Sequence, residues 1–266
     1  MNRITTLDGI EVHTSGQGAQ TVVMVHGWPD TRVLWDAQVD ALAPHYRCVR
    51  FTLPGFDARL PRRAFSLDEV VAFIARVVDA ASPDAPVLLM VHDWGCVFGC
   101  EYALRHPQRV ARIVAVDVGD AGSGAHAAAL PGRAKAFVLG YQLFLALAWG
   151  VGAVAPALGD RMTRFMARAV KCRSPQASIS AQMNYPYFIT WFGAHGGYRK
   201  KLPLKFSCPV LFLYGSKKPF LFHSQAWAER LAASPGNQVL ALRTGHWVMR
   251  DAPDEFNRAV LAWLQA

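Results

Sequence analysis

The sequence predicts an α/β fold in which a mostly parallel central sheet is flanked by helices. Two observations predict it. Continuous apolar runs, typical of buried strands, alternate along the chain with segments of helical periodicity. A length of 266 residues, of which 52% are hydrophobic, also allows one large domain with a substantial core.

The stretch from Pro86 to Pro107 has the sharpest local pattern. An apolar run, Val87 to Val91, is followed by Asp93, and a segment compatible with a helix begins at Gly95. A strand, a sharp turn and a helix with a carboxylate at the apex have the layout of a nucleophile elbow. Asp93 is therefore a candidate nucleophile, and the alternative is that it only caps the helix. Val91 departs from the pattern, because the position two before the nucleophile is usually glycine.

The elements before this stretch are predicted from short local signals. They are two strands around the turn at Asp8-Gly9, a buried strand from Thr21 to Val25, a helix from Thr31 to Ala43, a strand from Tyr46 to Leu53, and a helix opened by a capping box of Ser66 and Glu69.

The strand from Thr21 ends in the sequence His26-Gly27-Trp28-Pro29. Gly27 permits a tight backbone and leaves the amide of Trp28 free to point at a ligand. A plain turn is one interpretation. The position at the end of an early strand indicates an oxyanion hole instead, shared between the amides of Trp28 and Trp94.

After the elbow helix, a strand is predicted at 112–117, and then the alternation stops until about residue 206. The sequence therefore predicts a core domain of residues 1–118 and 206–266, with a helical cap, residues 119–205, inserted after the sixth strand. The later elements are a strand from Cys208 to Gly215, a helix from His223 to Ala233, a strand at 237–243, a loop bearing His246 and an amphipathic terminal helix.

Charge and cysteine content narrow the class of protein. The net charge is +9, but the Lys and Arg residues are scattered, so no nucleic-acid partner is expected. Five cysteines form an odd set without metal-ligand spacing, which fits a reducing cytoplasm. The first residues contain no apolar signal segment, so secretion is not expected.

The stretch from Ala136 to Gly159 contains no charged residue and is long enough to span a bilayer. Gln142, four glycines and Pro156 interrupt it. We expect a buried or pocket-lining helix pair here, and membrane contact is the alternative.

Three motifs in order, H-G-W-P, V-H-D-W-G and G-H-W-V-M, resemble the α/β-hydrolase superfamily. Within it, the sequence is most similar to the branch with an Asp nucleophile, that is, epoxide hydrolases and then haloalkane dehalogenases. The resemblance covers nearly the whole chain. It implies that Asp93 forms an alkyl ester and that His246 activates the water that cleaves it.

The acid that orients His246 is the clearest departure from the family pattern. In most of the family it follows the strand predicted at Cys208 to Gly215, where this chain has Lys218. In some Asp-nucleophile relatives the acid ends the strand after the elbow helix. That position points to Asp117, with Asp120 as the fallback.

An epoxide also needs acids that protonate the ring oxygen, and phenols can supply them. The segment G-Y-Q-L-F resembles the epoxide-hydrolase cap and points to Tyr141. The second phenol is Tyr187, with Tyr185 and Tyr198 as alternatives. Pocket lining is expected from four further aromatic residues, Phe144, Trp149, Trp191 and Phe192.

The resemblance therefore implies an epoxide hydrolase that converts a small apolar epoxide and water into a vicinal diol, with no metal or organic cofactor. Trp28, Trp94 and His26 are expected to contact the substrate or the oxyanion. One alternative is a haloalkane dehalogenase, in which Trp94 and a second N–H donor hold the halide. Another is a non-catalytic ligand-binding protein of the same fold, which Val91 and Lys218 make conceivable.

Overall fold

A computed structural model describes residues 2–198 and 200–266. Its strands are β1 (Asn2–Leu7), β2 (Ile10–Ser15), β3 (Thr21–Val25), β4 (Arg47–Phe51), β5 (Val87–His92), β6 (Val110–Val116), β7 (Val210–Gly215) and β8 (Gln238–Leu242). They form one sheet in the order β1-β2-β4-β3-β5-β6-β7-β8. The pairs β1–β2 and β2–β4 are antiparallel and the other neighbours are parallel, which confirms the predicted mostly parallel sheet.

Helices connect and flank the strands. They are α1 (Asp36–Leu42), α2 (Leu67–Ala81), α3 (Trp94–Arg105), α4 (Gly124–Ala129), α5 (Gly132–Val154), α6 (Pro156–Ala169), α7 (Tyr185–Phe192), α8 (Gln225–Ala232), α9 (Val248–Asp251) and α10 (Pro253–Gln265). Within the sheet, β3 and β5 are almost completely buried, and α2 packs on α3 while α1 packs on α10.

Capping residues set where two of the helices begin, once as predicted and once two residues later. The capping box of Ser66 and Glu69 is present as predicted. Helix α8 begins at Gln225 rather than at His223, because the side chain of Ser224 accepts a hydrogen bond from the amide of Trp227 and so ends the preceding loop.

The elbow between β5 and α3 has a strained backbone. Asp93 takes a φ of 54°, a region that costs a residue other than glycine on the order of 1–3 kcal/mol. Close packing maintains it: a Cβ on Gly95 would lie 2.2 Å from the carbonyl oxygen of Val25. Val91 fits without distorting the turn, because its Cγ1 lies over Gly99, one turn into α3.

The residues between β6 and β7 carry α4 to α7, and we call residues 119–205 the helical insert. The predicted helix pair is present, since Pro156 separates α5 from α6. Of the two expectations for it, burial is wrong, because only 22% of an 18-residue apolar window in α5 is buried. The expectation of a pocket-lining pair is confirmed, because Phe137 and Tyr141 of α5 and Ala169 of α6 line a cavity. Leu145 and Ala148 face inward, whereas the opposite side of the helix faces solvent.

The packing of Val91 on Gly99 predicts that Gly99→Ala destabilises the protein. The new Cβ would lie 2.5 Å from Val91 Cγ1, so we expect the free energy of unfolding to fall by about 1–3 kcal/mol in urea denaturation. The double variant V91A/G99A should recover part of the loss. Gly140→Ala in α5 is the control, because a Cβ there meets open space. Equal stability of G99A and G140A would contradict the packing argument.

Candidate active site

The elbow places the Asp93 carboxylate beside two backbone amides. Oδ1 accepts a hydrogen bond from the N–H of Trp28 at 2.7 Å, and the amide of Trp94 also bonds to the carboxylate. Gly27 allows this approach, because a Cβ there would lie 2.4 Å from Oδ1. Asp93 stands at the N-cap of α3, but within the described chain its carboxylate bonds to the helix only at the first amide, that of Trp94, and makes no capping bond to the amides further on. The hypothesis that it merely caps the helix is therefore wrong.

His246 lies on the loop between β8 and α9, between two carboxylates. Its Nδ1 is 2.5 Å from Oδ2 of Asp117, and its Nε2 is 3.4 Å from Oδ2 of Asp93. The ring of His92 lies 4.5 Å away between centroids, and its Nε2 is 3.1 Å from the backbone oxygen of His246. An imidazole that is oriented at Nδ1 and aims Nε2 at the reacting group has the geometry of a general base.

Asp117, at the end of β6, is fully buried and takes part in three interactions. Besides His246 at Oδ2, it accepts the N–H of Gly215 on Oδ1 at 2.9 Å, and both of its oxygens lie 2.5 Å from Nζ of Lys218. Gly215 must lack a side chain, because a Cβ would lie 1.8 Å from the oxygen of Gly245. Lys218 thus occupies the position of the expected acid as the cationic partner of Asp117.

Asp120, the fallback acid, lies apart from His246. Its carboxylate accepts hydrogen bonds from the hydroxyl of Ser123 and from the amide and hydroxyl of Ser224. These bonds tie the loop after β6 to the start of α8. The structure therefore favours Asp117 as the group that orients His246.

The charges of this cluster balance: the carboxylates of Asp93 and Asp117 face the cations of Lys218 and His246. Burial opposes ionisation of Asp117, but Lys218 and His246 outweigh it and lower the Asp117 pKa to about 2. Burial also disfavours charge on His246, yet Asp117 and Asp93 raise the pKa of His246 to about 9. Burial of Asp93 is likewise outweighed, by its hydrogen bond to His246 and the charge there, so its pKa lies below the usual value.

Tyr141 on α5 and Tyr187 on α7 face the same cavity as Asp93 and His246. The two phenol rings are 6.0 Å apart between centroids, and the Tyr187 ring is 5.9 Å from that of Trp28. Burial, and then the charge of Asp93, raises the pKa of Tyr187 well above its usual value. Burial and Asp93 also raise the pKa of Tyr141. Both phenols are therefore protonated near neutral pH.

The two alternative tyrosines lie elsewhere. Tyr185 packs on Phe56 and Phe65, and Tyr198 packs on Phe98. In the part of the chain that the structure describes, neither lines the cavity.

The expectation that His26 contacts a ligand is wrong. The side chain is fully buried, and both ring nitrogens are engaged, Nδ1 beside the oxygen of Gly27 and Nε2 accepting the amide of Leu53, each at 2.9 Å. Burial lowers the His26 pKa to about 4, so the ring is neutral. His26 fastens the Gly27-Trp28 turn to the loop after β4.

The cavity encloses about 540 Å³ between the elbow, the His246 loop and the helical insert. Its apolar lining includes Phe137, Phe220 and Phe222. The four aromatic residues expected to line it do not do so among the described residues: Phe144, Trp149, Trp191 and Phe192. The last two are exposed on the outer side of the insert.

Polar contacts that the sequence analysis did not predict hold the insert on the core domain. The indole N–H of Trp28 donates to Oδ1 of Asn184 at 2.7 Å, and Nδ2 of Asn184 donates to Oγ1 of Thr163 at the same distance. On the other side of the cavity, buried Asp30 accepts the hydroxyl of Ser174 and, at 2.8 Å, the indole N–H of Trp247. The one signal in the sequence is the polar Asn184 directly before the aromatic run that contains Tyr187.

Among residues 2–198 and 200–266, no group of three His, Cys, Asp or Glu side chains is arranged to hold a metal ion. The candidate site thus consists of a buried carboxylate at an elbow, a histidine with its own carboxylate, two backbone amides and two phenols. This set can form and then hydrolyse an ester on Asp93.

Residues 20–253 match the family model of the alpha/beta hydrolase fold, and the chain therefore belongs to that family. It is 36% identical over 118 residues to a protein named probable oxidoreductase EphD from Mycobacterium tuberculosis, covering 41% of this chain and 20% of that protein. It is 30% identical over 133 residues to epoxide hydrolase B of the same species, covering 47% of this chain and 37% of that protein. A crystal structure of an epoxide hydrolase from Bacillus megaterium superimposes with a TM-score of 0.73 over 99% of this chain and 100% of the other, at 18% identity. That likeness concerns the fold.

The ion pair of Lys218 with Asp117 predicts the effect of Lys218→Met. Without the ammonium group, Asp117 stabilises the His246 cation more strongly, so we expect the pKa of His246 to rise above about 9 by about one unit or more. An NMR titration of the imidazole measures it. Lys217→Met is the matched control, since Lys217 lines the same cavity but Lys218 makes the contact. An unchanged pKa in K218M, or equal shifts in both variants, would contradict the prediction.

Proposed function

We propose that this protein is an epoxide hydrolase that acts through a covalent ester on Asp93. The observation that carries the proposal is the pairing of an elbow carboxylate with two phenols, Tyr141 and Tyr187, across one cavity. A carboxylate is ionised near neutral pH and needs no base to attack carbon. The phenols supply the protons that a strained ring oxygen requires when its C–O bond breaks.

In the first step, Oδ2 of Asp93 attacks a ring carbon while the C–O bond breaks and its electron pair goes to the epoxide oxygen. Tyr141 or Tyr187 donates its proton to that oxygen, because an alkoxide is far more basic than a phenolate. Oδ1 keeps its hydrogen bond from the amide of Trp28 throughout, and the amide of Trp94 bonds to the same carboxylate. The product of this step is an ester between Asp93 and one carbon of the future diol.

In the second step, His246 takes a proton from water, and the hydroxide adds to Cγ of Asp93. The charge develops on Oδ1, to which the amide of Trp28 already donates, and the amide of Trp94 adjoins the same carboxyl group. The bond from Cγ to the alkyl oxygen then breaks. The imidazolium and the new carboxylic acid return one proton to the alkoxide and one to the tyrosinate, so one water has been added to the epoxide.

The electrostatics of the site support this order of steps. In the resting protein, Asp117 and Asp93 together raise the pKa of His246 to about 9. Esterification removes the charge of Asp93, so one of the two carboxylates that favour the imidazolium disappears. The His246 pKa then falls, the imidazolium releases its proton to solvent, and the neutral ring is a base when the ester is ready for hydrolysis. When hydrolysis restores the charge of Asp93, the ring takes up a proton again.

Haloalkane dehalogenation is less well supported. A halide needs two free N–H donors, but the Trp28 indole already donates to Asn184 at 2.7 Å. The two features that favour a non-catalytic protein also have structural explanations, because Val91 fits over Gly99 and Lys218 pairs with Asp117. The apolar lining of the cavity favours an apolar epoxide as substrate.

A trapped ester distinguishes these functions. His246→Gln, incubated with styrene oxide or with 1-bromobutane, is analysed by intact-protein mass spectrometry and peptide mapping. We expect the whole mass of styrene oxide to be added to Asp93, because ring opening expels nothing, and turnover to fall by about 10³-fold or more.

The control is the double variant D93N/H246Q, which should gain no mass. A butyl group added from 1-bromobutane, with loss of bromide, would indicate a dehalogenase. No adduct with either compound would remove the covalent mechanism.

Removal of the phenols tests the feature that carries the proposal. We expect Y141F/Y187F to slow ester formation by about 10²–10⁴-fold, because the epoxide oxygen loses its proton donors. Stopped-flow fluorescence of Trp28 and Trp94, which lie next to the ester, follows this step. Tyr185→Phe is the matched control outside the cavity. A double variant as fast as Y185F would show that the phenols only line the pocket.

A further inference from the structure

Ten of the eleven large hydrophobic side chains that the described chain exposes lie in the helical insert. They are Phe137, Leu139, Leu143, Leu147, Val154, Leu158, Phe165, Trp191, Phe192 and Leu202. The eleventh, Ile4, lies on β1, which belongs to the core domain. Large exposed apolar surfaces of this kind mark interaction sites rather than ordinary protein surface.

On α5, four of these side chains form one stripe. Leu139, Leu143 and Leu147 follow each other at a spacing of four residues, and Val154 lies on the same side two turns later. The buried residue Leu145 points the other way, into the protein. The stripe therefore runs along the solvent side of a 23-residue helix.

The neighbouring helices extend the stripe sideways. On one side, the indole N–H of Trp191 donates to Oε1 of Gln142 at 3.1 Å, which places the end of α7 beside α5. On the other side, the rings of Phe144 and Phe165 are 6.1 Å apart, which places α6 there. We call eight of the ten exposed side chains the apolar face: Leu139, Leu143, Leu147 and Val154 of α5, Leu158 and Phe165 of α6, and Trp191 and Phe192 of α7.

The positive charge of the protein is concentrated in the same part of the chain. The helical insert contains 11 Lys and Arg residues against two acidic ones, whereas the rest of the chain contains 17 of each. The insert therefore carries the whole net charge of +9. On α6, Arg161, Arg164 and Arg168 line one groove with Leu158 and Phe165 of the apolar face.

We propose that the apolar face docks on the surface of a lipid bilayer that contains anionic phospholipid. Apolar side chains bury in the boundary between headgroups and acyl chains, and the flanking basic residues attract the anionic headgroups. α5 is apolar and long enough to cross a bilayer. Since α6 and α7 pack against it, it lies in the plane of the interface instead. A second copy fits the face poorly, because both inserts would carry the same charge of +9.

The cavity opens beside the apolar face. Phe137, two residues before Leu139 on α5, has half of its surface exposed and also lines the cavity that holds Asp93 and His246. An apolar substrate dissolved in the bilayer would therefore meet the cavity without crossing water. This consequence rests on the proposed function, whereas docking itself does not.

Sedimentation with vesicles tests the docking independently of any activity. The full chain is mixed with vesicles of phosphatidylcholine alone or with phosphatidylglycerol, and the bound fraction is measured. We expect binding to the anionic vesicles, weakened by NaCl at about 0.5 M. L139E/L147E should bind at least about tenfold more weakly, because two charges enter the apolar stripe. R161Q/R168Q should bind more weakly and lose most of the salt dependence.

Two controls match these variants. Ile4→Glu changes the exposed hydrophobic residue outside the insert, and R243Q/R258Q removes two exposed charges from the core. Both should bind as the unaltered protein does, and circular dichroism checks that all variants are folded. Binding that is absent, or equally weakened by I4E and L139E/L147E, would overturn the proposal. A dimer seen in ultracentrifugation, and separated into monomers by L139E/L147E, would also overturn it. So would binding that resists extraction with alkaline carbonate, because that result indicates a helix that spans the bilayer.

Discussion

The buried carboxylate of Asp117 is the interaction on which the candidate site depends. It ends β6, accepts the N–H of Gly215 at the end of β7, and pairs with Lys218 and His246 on two further loops. A buried charge that loses one partner costs about 3–5 kcal/mol, so these loops hold each other in place. The position of His246 relative to Asp93 follows from this arrangement, and so does its elevated pKa.

The sheet could be predicted because its inner strands are continuous apolar runs bounded by turns, and the structure reproduces β3, β5, β6 and β7 within a few residues. Asp93 and His246 could be singled out because each lies in a short motif whose geometry is local. The pairing of Lys218 with Asp117 could not be predicted, since the two residues are 101 positions apart in the sequence. The expectation that His26 contacts a ligand was wrong, because the motif determines the course of the backbone but not the direction of the neighbouring side chain.

Helix α5 shows where periodicity carries no information. Apolar side chains surround most of the helix, so the sequence predicts burial without a preferred direction. In the fold, one side holds Tyr141 towards Asp93, while Leu143 and Leu147 on the other side face solvent. Phe144 and Trp191, expected inside the pocket, lie outside it for the same reason. Only the packing of α6 and α7 decides which side is inner.

Trp28 joins two parts of the molecule in one residue. Its backbone N–H holds Oδ1 of Asp93, and its indole N–H holds Asn184 of the helical insert. Displacing the insert would therefore free the indole of Trp28, and the backbone amide of the same residue holds the charge on Asp93. The packing of the insert on the core domain and the position of the amide that holds Asp93 are thus coupled through one residue, and such coupling is reciprocal.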